Sequence, residues 1–100
     1  MTVEAAHQEL SVCRDRIDDV DRRLLELLNE RTRTVEEIGR IKQQASLPVY
    51  EPRREDQVFQ NIAEHNAGPL TTEAALRVFE RIIDEMRKIQ RERMEDQKCS

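Results

Sequence analysis

The chain is poor in the residues that crosslink, break or anchor a fold. It has two cysteines, Cys13 on an apolar helical seam and Cys99 in a polar tail, which is no disulfide framework. Cys13 is expected to be a small buried apolar residue. Aromatic residues number three, Tyr50, Phe59 and Phe79, and there is no tryptophan. No run approaches the roughly 18 apolar residues of a membrane span. The opening MTVEAAHQEL lacks a basic n-region and an apolar h-region, so no secretory signal is expected and the cytoplasm is the expected compartment. The net charge of −4 lacks the basic surplus of a nucleic-acid binder, so neither nucleic acid nor membrane is an expected partner.

Chemistry-bearing motifs are scarce as well. There is no GxGxxG, no Walker loop, no HExxH and no cysteine–histidine metal spacing. Serines are confined to Ser11, Ser46 and Ser100, and the two histidines, His7 and His65, lie in the N-terminal lead-in and at a helix end. Neither a catalytic triad nor a metal hydrolase is expected, and no metal or other cofactor is implied.

What is abundant is Leu, Glu, Arg and Gln, a helical composition with 38% charged and 37% apolar residues in one domain of 100 residues. The core is expected over about 8–95, with a frayed lead-in at 1–7 and a polar tail at 96–100. The stretch LSVCRDRIDDVDRRLLELLNERTRTVEEIGRIK, Leu10 to Lys42, organises the rest. Leu10, Cys13, Ile17, Val20, Leu24, Leu27, Arg31, Thr34, Ile38 and Ile41 recur at steps of three and four, a narrow seam sustained over four heptads. Such a helix is roughly 50 Å long, whereas a compact chain of this size has a radius of gyration near ~13 Å. A second copy of the chain resolves the mismatch. The expected fold is therefore all-α, with three helices, one of them long and N-terminal, in an intertwined homodimer. The mixed charges on the outer face, among them Asp15, Asp18, Asp19, Glu36 and Glu37, read as a solvated surface.

Ala45-Ser46-Leu47-Pro48 ends this helix, because the residue before proline is pushed out of the α region. Val49-Tyr50-Glu51 is a short extended connection, and Pro52 opens a second helix, PRREDQVFQNIAEHN, with Val58, Phe59 and Ile62 inward. Gly68-Pro69 lies in the stop that follows it, and Thr71 or Thr72 caps a third helix. The seam of helix three reads Leu76, Phe79, Ile83, Met86 and then Gln90.

Polar residues thus break two apolar seams. Burying an unpaired guanidinium is expensive, so Arg31 faces an acidic partner or a bound anion, unless it sets coiled-coil register. Lys42 follows eleven residues later, three turns along nearly the same face. Glu51 and Glu55 stand at i and i+4 with Arg54 beside Glu55, a pattern that also suits a plain helix-end charge network. A cage of cations, an amide and carboxylates suits a dianionic small molecule that reacts through electrostatics and shape.

The chain resembles the all-helical class of chorismate mutases from about Leu10 to Gln90. The resemblance rests on Arg14-x-x-Ile17-Asp18-x-x-Asp21, Leu24-Leu25-x-Leu27-Leu28-x-x-Arg31, Ile38-Gly39-x-x-Lys42, Pro48-Val49-Tyr50-x-Pro52-x-Arg54-Glu55, Phe79-x-x-Ile82-Ile83 and Gln90. It implies a domain-exchanged dimer with two equivalent sites and the Claisen rearrangement of chorismate to prephenate, toward phenylalanine and tyrosine. It further implies that Arg31 binds a substrate carboxylate, and that Lys42 reaches the ether oxygen and a carboxylate. Gln90 is then the second donor to that oxygen, Glu51 and Glu55 hold the ring hydroxyl, and Arg54 is the basic residue of the same motif.

Arg14 resembles the arginine that the other subunit contributes. It stands roughly 25 Å along the helix from Arg31, too far to share one small site within a chain. Two copies crossing antiparallel near Leu24–Leu25 would bring it opposite the region between Arg31 and Lys42. Glu51 is one methylene longer than the aspartate of some relatives. Met86 falls among the substrate-lining positions, where some relatives carry serine, and reads as packing. Two other readings remain: an isochorismate–pyruvate lyase, and a non-catalytic regulatory or dimerisation module bound or fused to a shikimate-pathway enzyme.

Overall fold

The computed structural model describes residues 1–99, with side chains described through Glu95. Three α-helices follow in order, α1 (Val3–Gln44), α2 (Pro52–His65) and α3 (Thr72–Cys99), with no strand among the described residues. The all-α, three-helix expectation is met. The chain divides into two units, Met1–Arg33 and Thr34–Ser100.

The first unit is the leading part of α1. Helix begins earlier than the lead-in reading placed it, because the Thr2 hydroxyl accepts a hydrogen bond from the Ala5 N–H at 3.0 Å and caps the first turn. From His7 to Leu27 every residue is exposed in the single chain, the seam residues Leu10, Ile17, Val20, Leu24 and Leu27 among them. Cys13 is exposed too, so the single chain does not bury it as expected.

The second unit holds the core. Helix α3 turns inward the seam read from its sequence: Ile83, Met86 and Gln90 are buried, with Leu76 and Phe79 half-buried and Ala75 added to the buried set. Val58, Phe59 and Ile62 of α2 are half-buried. On the trailing part of α1 the buried residues are Val35, Gly39 and Lys42, spaced i, i+4 and i+7. The sequence seam is different here. Ile38 and Ile41 lie on another side of the helix and are exposed. So this part of α1 has two faces, one filled by the chain itself and one left apolar and open.

Helix α1 ends before Pro48, through a turn. Ser46 sits in the left-handed region at φ +56°. The Leu47 N–H donates to the Lys42 carbonyl at 2.7 Å and the Ser46 N–H to the Gln43 carbonyl at 3.3 Å. This is the paired pattern of a Schellman cap, with serine where glycine is usual. At the other end of the unit, the Thr71 hydroxyl accepts from the Ala74 N–H at 3.1 Å and starts α3. Its polar continuation past Arg91 remains helical to Cys99.

A side chain in the left-handed region is strained relative to glycine. Ser46→Gly is expected to raise stability by about 0.5–1 kcal/mol. A urea denaturation midpoint that stays the same or falls would contradict this account of the cap.

Candidate functional site

The Schellman turn returns the chain along its own path, and Lys42 shows the result. Its carbonyl anchors the turn, while its ammonium group donates to the Val49 carbonyl at 2.9 Å and pairs with Glu51 Oε1 at 2.6 Å. The Lys42 side chain is only 9% exposed and that of Glu51 is 49% exposed, so the pair joins a buried cation to a carboxylate at the rim. An ammonium has three hydrogens. Two are engaged by these contacts.

Gln90 reaches the same face of α1 from α3. Its Nε2 donates to the Val35 carbonyl at 3.4 Å, a long bond, and its Cγ lies 3.7 Å from where a β-carbon on Gly39 would be. Lys42 follows Gly39 by three residues, about 4.5 Å along the helix. The seam-breaking amide and the buried lysine therefore sit on one inner face. The amide keeps its second hydrogen and its oxygen for other partners.

The two acids of the Glu51–Glu55 motif go to two different cations. Glu51 holds Lys42, and at the N-cap of α2 its side chain makes no capping hydrogen bond. Glu55, one turn on, lies 3.5 Å from Arg87 Nη2 of α3. Arg54 is exposed and donates to Gln57 Oε1 at 3.4 Å, away from both carboxylates. Met86 is 7% exposed and belongs to the core. In the first unit, Arg31 is half-buried and Arg14 is exposed.

Sequence reasoning passed over Arg87. It breaks no apolar seam and stands next to Lys88, so it reads as surface charge. Its signal was the neighbouring Asp84, three residues back, whose Oδ1 lies 2.6 Å from Arg87 Nη2. Glu36 was read as solvated and instead pairs with Arg93 at 3.0 Å. That pair borders a cleft of about 190 Å³ that Gly39, Arg40, Gln43, Gln90 and Met94 also line.

The three helices together present a buried lysine, a buried glutamine and two ion-paired acids in one all-α architecture. The chain belongs to the chorismate mutase type II family, whose model matches residues 13–91. It is 38% identical over 80 residues to a bifunctional chorismate mutase/prephenate dehydratase of Aquifex aeolicus, a match that covers 76% of this chain and 22% of that protein. A chorismate mutase of Methanocaldococcus jannaschii is 26% identical over 93 residues, 89% of this chain and 91% of that one. Among solved structures, chorismate mutase (form II) of Thermus thermophilus superposes with a TM-score of 0.81 at 32% identity, over 83% of this chain and 94% of that one. The chain thus spans about a fifth of the bifunctional relatives it matches and nearly all of the shorter ones.

The Lys42–Glu51 pair has a thermodynamic signature. Removing the acid leaves a buried ammonium with one carbonyl, and an undercompensated buried donor costs about 1–3 kcal/mol. Glu51→Ala is expected to lose that much in urea denaturation, and Glu51→Gln less, because the amide oxygen still accepts.

Proposed function

We propose that the protein is a chorismate mutase, converting chorismate to prephenate within one bound molecule. The observation that carries this reading is that a buried Lys42 ammonium and a buried Gln90 side chain share the inner face of α1. The rearrangement breaks the ether C–O bond ahead of forming the new C–C bond, so negative charge gathers on the ether oxygen. Lys42 and Gln90 donate to that oxygen and grip it harder as the charge grows, which lowers the barrier. Glu51 and Glu55 accept from the ring hydroxyl. Arg31, Arg54 and Arg14 hold the carboxylates and fold the enolpyruvyl arm over the ring, while Met86 packs behind the site. No proton moves, and no covalent intermediate forms.

The working form is a homodimer in the cytoplasm. Its support is the row Leu10, Ile17, Val20, Leu24 and Leu27, which the single chain leaves in solvent and which a second copy would cover. In that dimer Arg14 of each copy serves the site of the other, and the domain comprises residues 1–100 with its core at about 8–95. A partner enzyme of the same pathway fits the family habit of fusion, since the Aquifex relative is named for both a chorismate mutase and a prephenate dehydratase.

Purified protein is expected to consume chorismate and yield prephenate, and Lys42→Ala and Gln90→Ala each to lose on the order of 100-fold or more in kcat. Salicylate and pyruvate from isochorismate, with chorismate untouched, would assign the lyase activity instead. A folded protein with no turnover would point to the regulatory module.

The shared site has its own test. Arg14→Ala and Lys42→Ala proteins, each inactive, are expected to regain about a quarter of wild-type activity when unfolded together and refolded, because half the dimers are mixed and each mixed dimer holds one intact site. A mixture that stays inactive would place Arg14 outside the partner's site.

A further inference from the structure

Arg87 has surroundings that its place among surface charges does not explain. Its guanidinium lies over the Tyr50 ring, 5.5 Å from the centroid. Its Nη2 lies 2.6 Å from Asp84 and 3.5 Å from Glu55. Its side chain is 28% exposed, and its Nε is buried with no hydrogen-bond partner among the described residues. One side chain of α3 therefore meets the connection before α2, the first turn of α2 and its own helix.

Arginine suits this place, because its planar cation can stack on a ring and pair edge-on with carboxylates at once, which an ammonium cannot. A buried donor without a partner is costly and persists where other contacts fix the group. Here Asp84 and Tyr50 do the fixing, and the Nη2 that pairs with Asp84 is the same nitrogen that approaches Glu55. At 3.5 Å the approach to Glu55 is an ion pair more than a hydrogen bond. It sets where the carboxylate lies without occupying the lone pairs that a ligand hydroxyl needs.

We propose that Arg87 is a positioning residue of the mutase reaction, holding the Glu55 carboxylate in place against the ring hydroxyl of the substrate, with Tyr50 as the plate that keeps the guanidinium aligned. The inference rests on the function proposed above, in which Glu55 binds that hydroxyl. Arg87 touches no reacting atom in this account and acts only through Glu55.

The test is a double-mutant cycle in kcat/KM for chorismate, using Arg87→Gln, Glu55→Gln and the double variant, with helicity and thermal midpoint recorded for each. Arg87→Gln is expected to lose about tenfold, within the range of coupling between contacting groups. The double variant is expected to be no worse than Glu55→Gln alone. Arg87→Lys, which keeps the charge without the planar fork, is expected to recover part of the loss.

A structural role unconnected with Glu55 would make the two losses multiply, and that outcome, or no loss in Arg87→Gln, overturns the proposal. Should Arg87→Gln fail to fold, Tyr50→Leu replaces it in the cycle, with the same two outcomes. Wild-type protein that does not turn over chorismate overturns the functional reading itself, and this proposal with it. Wild-type turnover with multiplying losses overturns this proposal alone.

Discussion

A buried ammonium must be satisfied where it lies, and around Lys42 that requirement shapes a whole stretch of chain. The lysine sits on the inner face of α1, one turn beyond the glycine against which Gln90 packs. Leaving its charge unpaired there would cost several kcal/mol. The chain meets the need by turning back at once, so that the Val49 carbonyl and the Glu51 carboxylate arrive beside the amine. The acid that starts α2 is consequently committed to α1. Its helix does without a side-chain cap from it.

The same logic, with a different cation, fixes the next turn of α2. Glu55 answers to Arg87 of α3 as Glu51 answers to Lys42 of α1. Two acids one turn apart thus clasp two other helices, and α2 is oriented by charge as well as by the apolar contacts of Val58, Phe59 and Ile62. What the arrangement offers a ligand is a set of donors and acceptors with their positions already set. In the proposed rearrangement, which needs no base or nucleophile, such preorganisation would be the whole catalytic resource.

The helices were legible in the sequence because periodicity writes them directly, and α3 turned inward the residues its seam named, three of them buried and two half-buried. The faces of α1 were only half legible. The apolar steps lead to Ile38 and Ile41, whereas the side that the chain packs against itself is Val35, Gly39 and Lys42. Hydropathy cannot mark that side, since a glycine contributes only absence and a lysine is buried through pairing. Arg87 escaped for the converse reason. Charge next to charge on a helix usually means solvent, and only the ring of Tyr50, far off in sequence, shows otherwise. The start of α1 was lost to composition, because the capping hydroxyl of Thr2 outweighs a polar lead-in.

Lys42 also acts as a gauge of length. Its backbone oxygen takes the Leu47 N–H, and its side chain takes the Val49 oxygen and the Glu51 carboxylate. A single residue therefore measures the connection at two points, by main chain and by amine. Surface loops ordinarily absorb added residues at small entropic expense. This one has no slack: a residue inserted or removed between Leu47 and Glu51 would shift the carbonyl and the acid out of register with the amine while leaving the turn itself intact. Variation in loop length within such chains should accordingly gather after α2, where the residues 66–71 answer to no buried charge.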